Sequence, residues 1–106
     1  LAESGVVRRL LLYLLEAHRF RVLLARDVEG LLRLLKSRPK GGILQGEKAV
    51  EAARKVRATP EGRLASLYLV SETPPGLLLR PLRLLHLPKP LRSQEVLKAL
   101  EPLRRG

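Results

Sequence analysis

Gly41-Gly42-Ile43-Leu44-Gln45-Gly46, a helix-patterned run over residues 47–58, and then Leu67-Tyr68-Leu69-Val70-Ser71 form the stretch that decides the fold. Within 47–58, Ala49, Ala52, Ala53 and Val56 recur at helical spacing and make a narrow packing face of small residues. A short apolar segment, Ile43-Leu44, precedes this helix, and an apolar strand over 67–70 follows it. Thr59-Pro60-Glu61-Gly62 separates the helix from the second strand. Strand, helix and strand at this distance require a crossover, which places the two strands parallel and makes the connection right-handed.

The same alternation continues in both directions. Toward the N-terminus, Ser4 is placed to cap a helix to about residue 17, with Val7, Leu10, Leu11, Leu14 and His18 along one stripe. Leu12 and Leu15 widen that stripe beyond one face. Residues 20–25 are apolar nearly throughout and read as a central or parallel strand. Asp27 then caps a helix carrying Leu31, Leu32, Leu34 and Leu35, which ends by Pro39. Toward the C-terminus, Thr73-Pro74-Pro75-Gly76 forbids a helix before Gly76, and Pro81 breaks any helix attempted beyond it. Residues 84–87 read as the last strand, and Ser93 caps a final helix to about residue 101, stopped near Pro102. The expected class is α/β: a three-layer, doubly wound, mostly parallel sheet.

Composition bounds what such a domain can do. The chain has 106 residues, 45% of them hydrophobic, and a net charge of +11, so residues 1–106 are expected to form one small domain. The absence of Cys excludes disulfides, thiolate metal sites and a cysteine nucleophile. Tyr13, Tyr68 and Phe20 are the whole aromatic content, too little for a base-stacking platform. No Asn occurs, Arg outnumbers Lys by 15 to 6 and there are eight Pro, a balance resembling a thermophile's avoidance of labile side chains. The longest apolar run, residues 10–15, is far below the ~20 residues of a membrane span. With no secretion-signal pattern at the start, a cytoplasmic protein with no membrane partner is expected.

Four segments, in order, resemble response-regulator receiver domains of two-component signal transduction. Leu1-Ala2-Glu3-Ser4-Gly5-Val6-Val7-Arg8-Arg9 resembles the acidic-pair loop and first helix; residues 20–25 with Arg26-Asp27-Val28-Glu29-Gly30 resemble the second strand and its helix. Leu67-Tyr68-Leu69-Val70-Ser71 resembles the fourth strand with its terminal hydroxyl, and Leu87-Pro88-Lys89-Pro90-Leu91 the Lys-Pro corner, where a cis peptide is implied. The resemblance implies a receiver, or flavodoxin-like, fold whose first strand is truncated or absent and whose fourth helix is shortened or lost. The first strand of that fold lies mid-sheet, so either residues ahead of Leu1 or another segment or molecule is expected to fill its place.

The chemistry implied by the resemblance is only partly present. A receiver of a phosphorelay uses an Asp acceptor, an acidic pair for Mg²⁺, a hydroxyl and a Lys, because a phosphoryl group approaching a carboxylate needs its charge offset. Here the acidic pair falls on Ala2 and Glu3, and the acceptor position falls near Gln45, whose amide cannot form an acyl phosphate. Ser71 and Lys89 match, and with Glu3 they form a relic site. The one Asp among ten acidic residues, Asp27, is expected at a helix cap away from it. The expectation is a non-phosphorylatable pseudo-receiver with no catalytic residue, no metal site and no cofactor. It is expected to work by protein–protein contact with a partner or a linked output domain, with a homodimer as a further option.

The resemblance places the interaction surface around Leu82, Leu85, Pro90, Leu91 and Leu97, with Leu77 to Leu79 as an additional apolar patch. Two alternatives stand beside this reading. One is a small basic domain binding nucleic acid, favoured by the charge of +11. Against it, the basic excess is spread as five, one and five over residues 1–41, 42–74 and 75–106, and falls on separate faces. The other is an active phosphoacceptor with a relocated acidic site, for which Glu47 is the nearest carboxylate. His18 and His86 lack partners at ligand spacing.

Overall fold

Ser4 turns the chain into its first helix, α1 (Gly5–Ala17): its backbone is extended and its hydroxyl accepts from the Val7 N–H at 3.4 Å. Asp27 does the same for α2 (Val28–Leu34), its Oδ1 accepting from the Gly30 N–H at 2.7 Å. A 3-10 turn, Leu35–Ser37, tightens the end of α2 ahead of Pro39. There follow β1 (Gly41–Leu44), α3 (Ala49–Arg57), β2 (Ser66–Ser71), a 3-10 segment Leu77–Leu82, β3 (Leu84–Pro88) and α4 (Ser93–Arg105). This computed structural model describes residues 1–105, with side chains as far as Leu103.

The sheet has the order β1-β2-β3 and is parallel throughout, with Ile43 beside Tyr68 and Leu69 beside His86. Gly41 stands close against β2: a Cβ there would come within 2.6 Å of the Ser66 carbonyl oxygen. Both faces of the sheet are covered. Tyr68, Val70 and Leu87 pack with Val7, Leu11, Leu14 and Leu15 of α1 and Val96 and Leu100 of α4. Leu67, Leu69 and Leu44 pack on the other face with Val28 of α2 and with Ala49, Ala52, Ala53 and Val56 of α3. Alternate residues of β2 therefore serve opposite cores, which is why that strand is apolar without interruption. The alanines of α3 let its axis lie close on the sheet. The expected three-layer α/β class is what the chain adopts, and the truncations are present: the place of a fourth helix holds only the 3-10 segment with Pro81 inside it.

Two expectations need correction. Residues 20–25 form no strand: they join no ladder, although Phe20 and Val22 pack against the first core. A strand exists only when a neighbour accepts its backbone groups, and β1 is not that neighbour. The final helix does not stop at Pro102 but runs through it to Arg105. Proline removes one N–H bond, while Leu103 packs on the first core and beside Gly41, which favours the last turn.

The N-terminus supplies a fragment of strand. The Leu1 ammonium donates to the Ile43 carbonyl at 2.8 Å, the Gln45 N–H donates to the Leu1 carbonyl at 2.8 Å, and the Glu3 N–H donates to the Gln45 carbonyl at 3.2 Å. This is a parallel bridge between Ala2 and Gln45. Burial of the Leu1 ammonium pulls its pKa down from 8.0 to about 6. Among the described residues no helix is long and apolar enough to cross a membrane.

Candidate functional site

Open parallel sheets bind ligands beyond the carboxyl ends of their strands, and there the chain gathers the residues singled out from sequence. Glu3 follows the N-terminal bridge, Gln45 follows β1, Ser71 ends β2 and Lys89 follows β3. The structure brings Glu3 together with Gln45, and Ser71 together with Lys89.

Gln45 is 8% exposed, and its Oε1 accepts from the Ser4 N–H at 2.8 Å. The side chain at this position is thus held by the loop that leads into α1. Glu3 is exposed, and its Oε2 accepts from the Lys48 N–H at 2.9 Å at the start of α3, where the helix dipole favours an anion. Gly46 between them has φ of +115°, and any Cβ there would overlap the Glu3 carboxylate. Glycine is needed at this point both for the backbone angle and for the close passage of Glu3. The two polar side chains nearest the β1 end therefore serve the chain's own backbone.

At the β2–β3 end, the Ser71 hydroxyl donates to the Thr73 carbonyl at 2.6 Å. The Ser71 carbonyl accepts from the Lys89 N–H at 3.1 Å and lies 2.9 Å from His86 Nε2. The Lys89–Pro90 peptide is cis. Asp27 is bound to its own helix at α2, and Glu47 is exposed just ahead of α3. Among the described residues no three His, Cys, Asp or Glu side chains cluster as metal ligands.

No protein-family model matches this sequence, and no curated protein matches it. Its backbone does match a solved structure, the chemotaxis protein CheY4 of Vibrio cholerae, with a TM-score of 0.82 at 17% identity. The match covers 96% of this chain and 92% of that one. The fold is that of a CheY-like receiver.

Within the receiver fold, the residues read as an interaction surface are divided. Leu82 packs against the α2–α3 core, whereas Leu91 and Leu97 pack against the α1–α4 core. Leu85 is 49% exposed and Pro90 is exposed. The most open apolar side chains near them are Leu77 and Leu78 on the 3-10 segment, at 80% and 92% exposure.

One structural centre has no distinct sequence signal. Arg57, in the last turn of α3, donates from Nε to the Leu82 carbonyl at 2.9 Å and from Nη1 to those of Gly62, Arg63 and Ala65 at 2.9, 3.0 and 2.6 Å. Its Nη2 donates to the Arg83 carbonyl at 3.3 Å. Burial lowers the Arg57 pKa from its ordinary value, and the nearby Arg83 charge adds to that. A basic residue at a helix end before Thr59-Pro60 looks like any dipole-complementing residue, so its five acceptors come from the folded loops alone.

Proposed function

We propose that this chain is a receiver-fold regulatory module that accepts no phosphoryl group and acts through contact with a protein partner or a linked output domain. The observation that carries the reading is Gln45, which stands at the end of β1 with its amide oxygen committed to the Ser4 N–H. An amide offers no ionised oxygen to attack phosphorus. Glu3 supports the same reading, because its carboxylate is already used at the start of α3 and a single carboxylate is a poor Mg²⁺ site. Ser71 and Lys89 are then a relic of the pair that would bind a phosphoryl group.

The contact surface in this reading comprises Leu77, Leu78, Leu85 and Pro90, with Leu82, Leu91 and Leu97 supporting it from the two cores. Residues 1–106 act as one domain in the cytoplasm, with no metal, cofactor or catalytic role. The test is an NMR titration with Mg²⁺ and beryllofluoride, a phosphoryl mimic. The expected result is no saturable shift at Ser71 or Lys89; saturable shifts at both overturn the reading.

A further inference from the structure

The outer side of α1 carries an apolar stripe that the core does not take. Val7, Leu11, Leu14 and Leu15 are buried, whereas Val6, Leu10, Tyr13 and Ala17 are exposed, Val6 and Tyr13 at 78% and 77%. Their spacing of four, three and four residues is that of the a and d positions of a coiled-coil seam. At ~3.6 residues per turn the four fall within about 60° of one another along about 17 Å of helix. One flank of the seam is closed by Val7 and Leu14, which enter the core. The other flank carries Arg9 and Glu16, both exposed, each one residue ahead of a seam residue. These two stand about 10 Å apart along the axis, too far to pair with each other, and among the described residues neither forms an ion pair.

We propose that this seam pairs two copies of the chain, α1 against α1 and antiparallel, about a twofold axis. In that arrangement Leu10 of each copy meets Tyr13 of the other, and Val6 meets Ala17, so every layer of the seam is filled from both sides. Arg9 of each copy then lies within about two residues, or about 3 Å along the axis, of Glu16 of the other. Both ion pairs form together, because a twofold contact repeats every interaction.

The charges select both the occupant and its direction. A parallel pair sets Arg9 beside Leu14 of the second copy and leaves both charges without an opposite. A foreign helix with acidic flanks answers Arg9 but repels Glu16, and one with basic flanks does the reverse. A second α1 offers one charge of each sign at the matching places. A seam on a helix of 13 residues makes a small interface, so the dimer is a transient one. The inference rests on α1 alone and stands apart from the reading of Gln45 and from the contact surface at Leu77 and Leu78.

The experiment is sedimentation equilibrium of the chain from about 10 μM to about 1 mM, at about 0.15 M salt, where screening shortens the repulsion between two copies of charge +11. The expected result is a monomer–dimer equilibrium within that range. Tyr13→Glu is expected to weaken the dimer at least about tenfold, because it buries a carboxylate in the seam. Ala17→Glu makes the same test at a second exposed position, should the first variant not fold. Arg9→Glu and Glu16→Arg are each expected to weaken the dimer about threefold to tenfold. A one-to-one mixture of those two variants is expected to associate as the original chain does, since each copy then meets opposite charges in both pairs. A monomer throughout the range overturns the proposal and leaves the stripe to a helix of another protein. A dimer that Tyr13→Glu and Ala17→Glu leave intact, or a mixture no tighter than its separate components, overturns it as well.

Discussion

The stretch from β1 to β3 and the stretch before it are covered by similar leucine-rich sequence but differ in how their backbone is used. From Gly41 to Pro88 every strand has a ladder partner, and α3 seats four buried residues on the sheet. Before Lys40, two well-capped helices flank a run of apolar residues with no ladder, in which Leu23 and Leu24 remain 42% and 47% exposed. The difference teaches that apolar content does not by itself make a core. Burial needs a partner that takes the backbone groups as well as the side chains.

The sharpest way to break this comparison is a pair of truncations. Leu44→Ala removes a side chain that is wholly buried and is expected to lower unfolding free energy by about 3 kcal/mol, whereas Leu24→Ala is expected to lower it by less than about 1 kcal/mol. Urea denaturation measures both, and comparable losses would erase the distinction between the two stretches. Next in size, Arg57→Met takes a donor from five carbonyls, of which that of Arg63 keeps Arg83 Nη2, and is expected to lower stability by about 2 kcal/mol, with the loss read in the same denaturation series.

The third prediction sharpens the N-terminal side, for the chain that begins at Leu1. Folding lowers the Leu1 ammonium pKa from 8.0 to about 6, so between those values the unfolded chain binds more protons than the folded one. Stability therefore rises as pH goes from 6 to 8, by at most about 2 kcal/mol. Acetylation of the terminus is expected to flatten this rise; an unchanged slope after acetylation assigns it to another group. Smallest is Glu3→Ala, which leaves the Lys48 N–H without its acceptor and is expected to cost about 1 kcal/mol or less by thermal melting.

Much of the fold was legible because its signals are local. Ser4 and Asp27 mark helix starts by side-chain chemistry that acts within three residues. The stripe of Ala49, Ala52, Ala53 and Val56 marks the face α3 lays on the sheet, and the apolar run over 67–70 marks a strand. What was not legible depends on distant partners. Residues 20–25 have a strand's composition, and nothing in their own sequence says whether a neighbour stands beside them. Pro102 is a local stop signal, and the packing of Leu103 is not local. At the candidate site, Glu3, Gln45, Ser71 and Lys89 were singled out by the resemblance to receiver domains, and the fold sets them near the carboxyl ends of the N-terminal bridge and the strands. The engagements of Gln45 with the Ser4 N–H and of Glu3 with the Lys48 N–H were not legible, because they depend on two loops meeting.

Arg57 has a mechanical consequence. One guanidinium fastens the end of α3 to the 62–65 turn and to the corner at Leu82 and Arg83. Thr59 and Arg83 brace the same corner: the Gly62 N–H donates to Thr59 Oγ1 at 3.0 Å and Arg83 Nη2 donates to the Arg63 carbonyl at 2.6 Å. That end of the molecule is cross-braced, so losing one tie still leaves the three segments joined by the others.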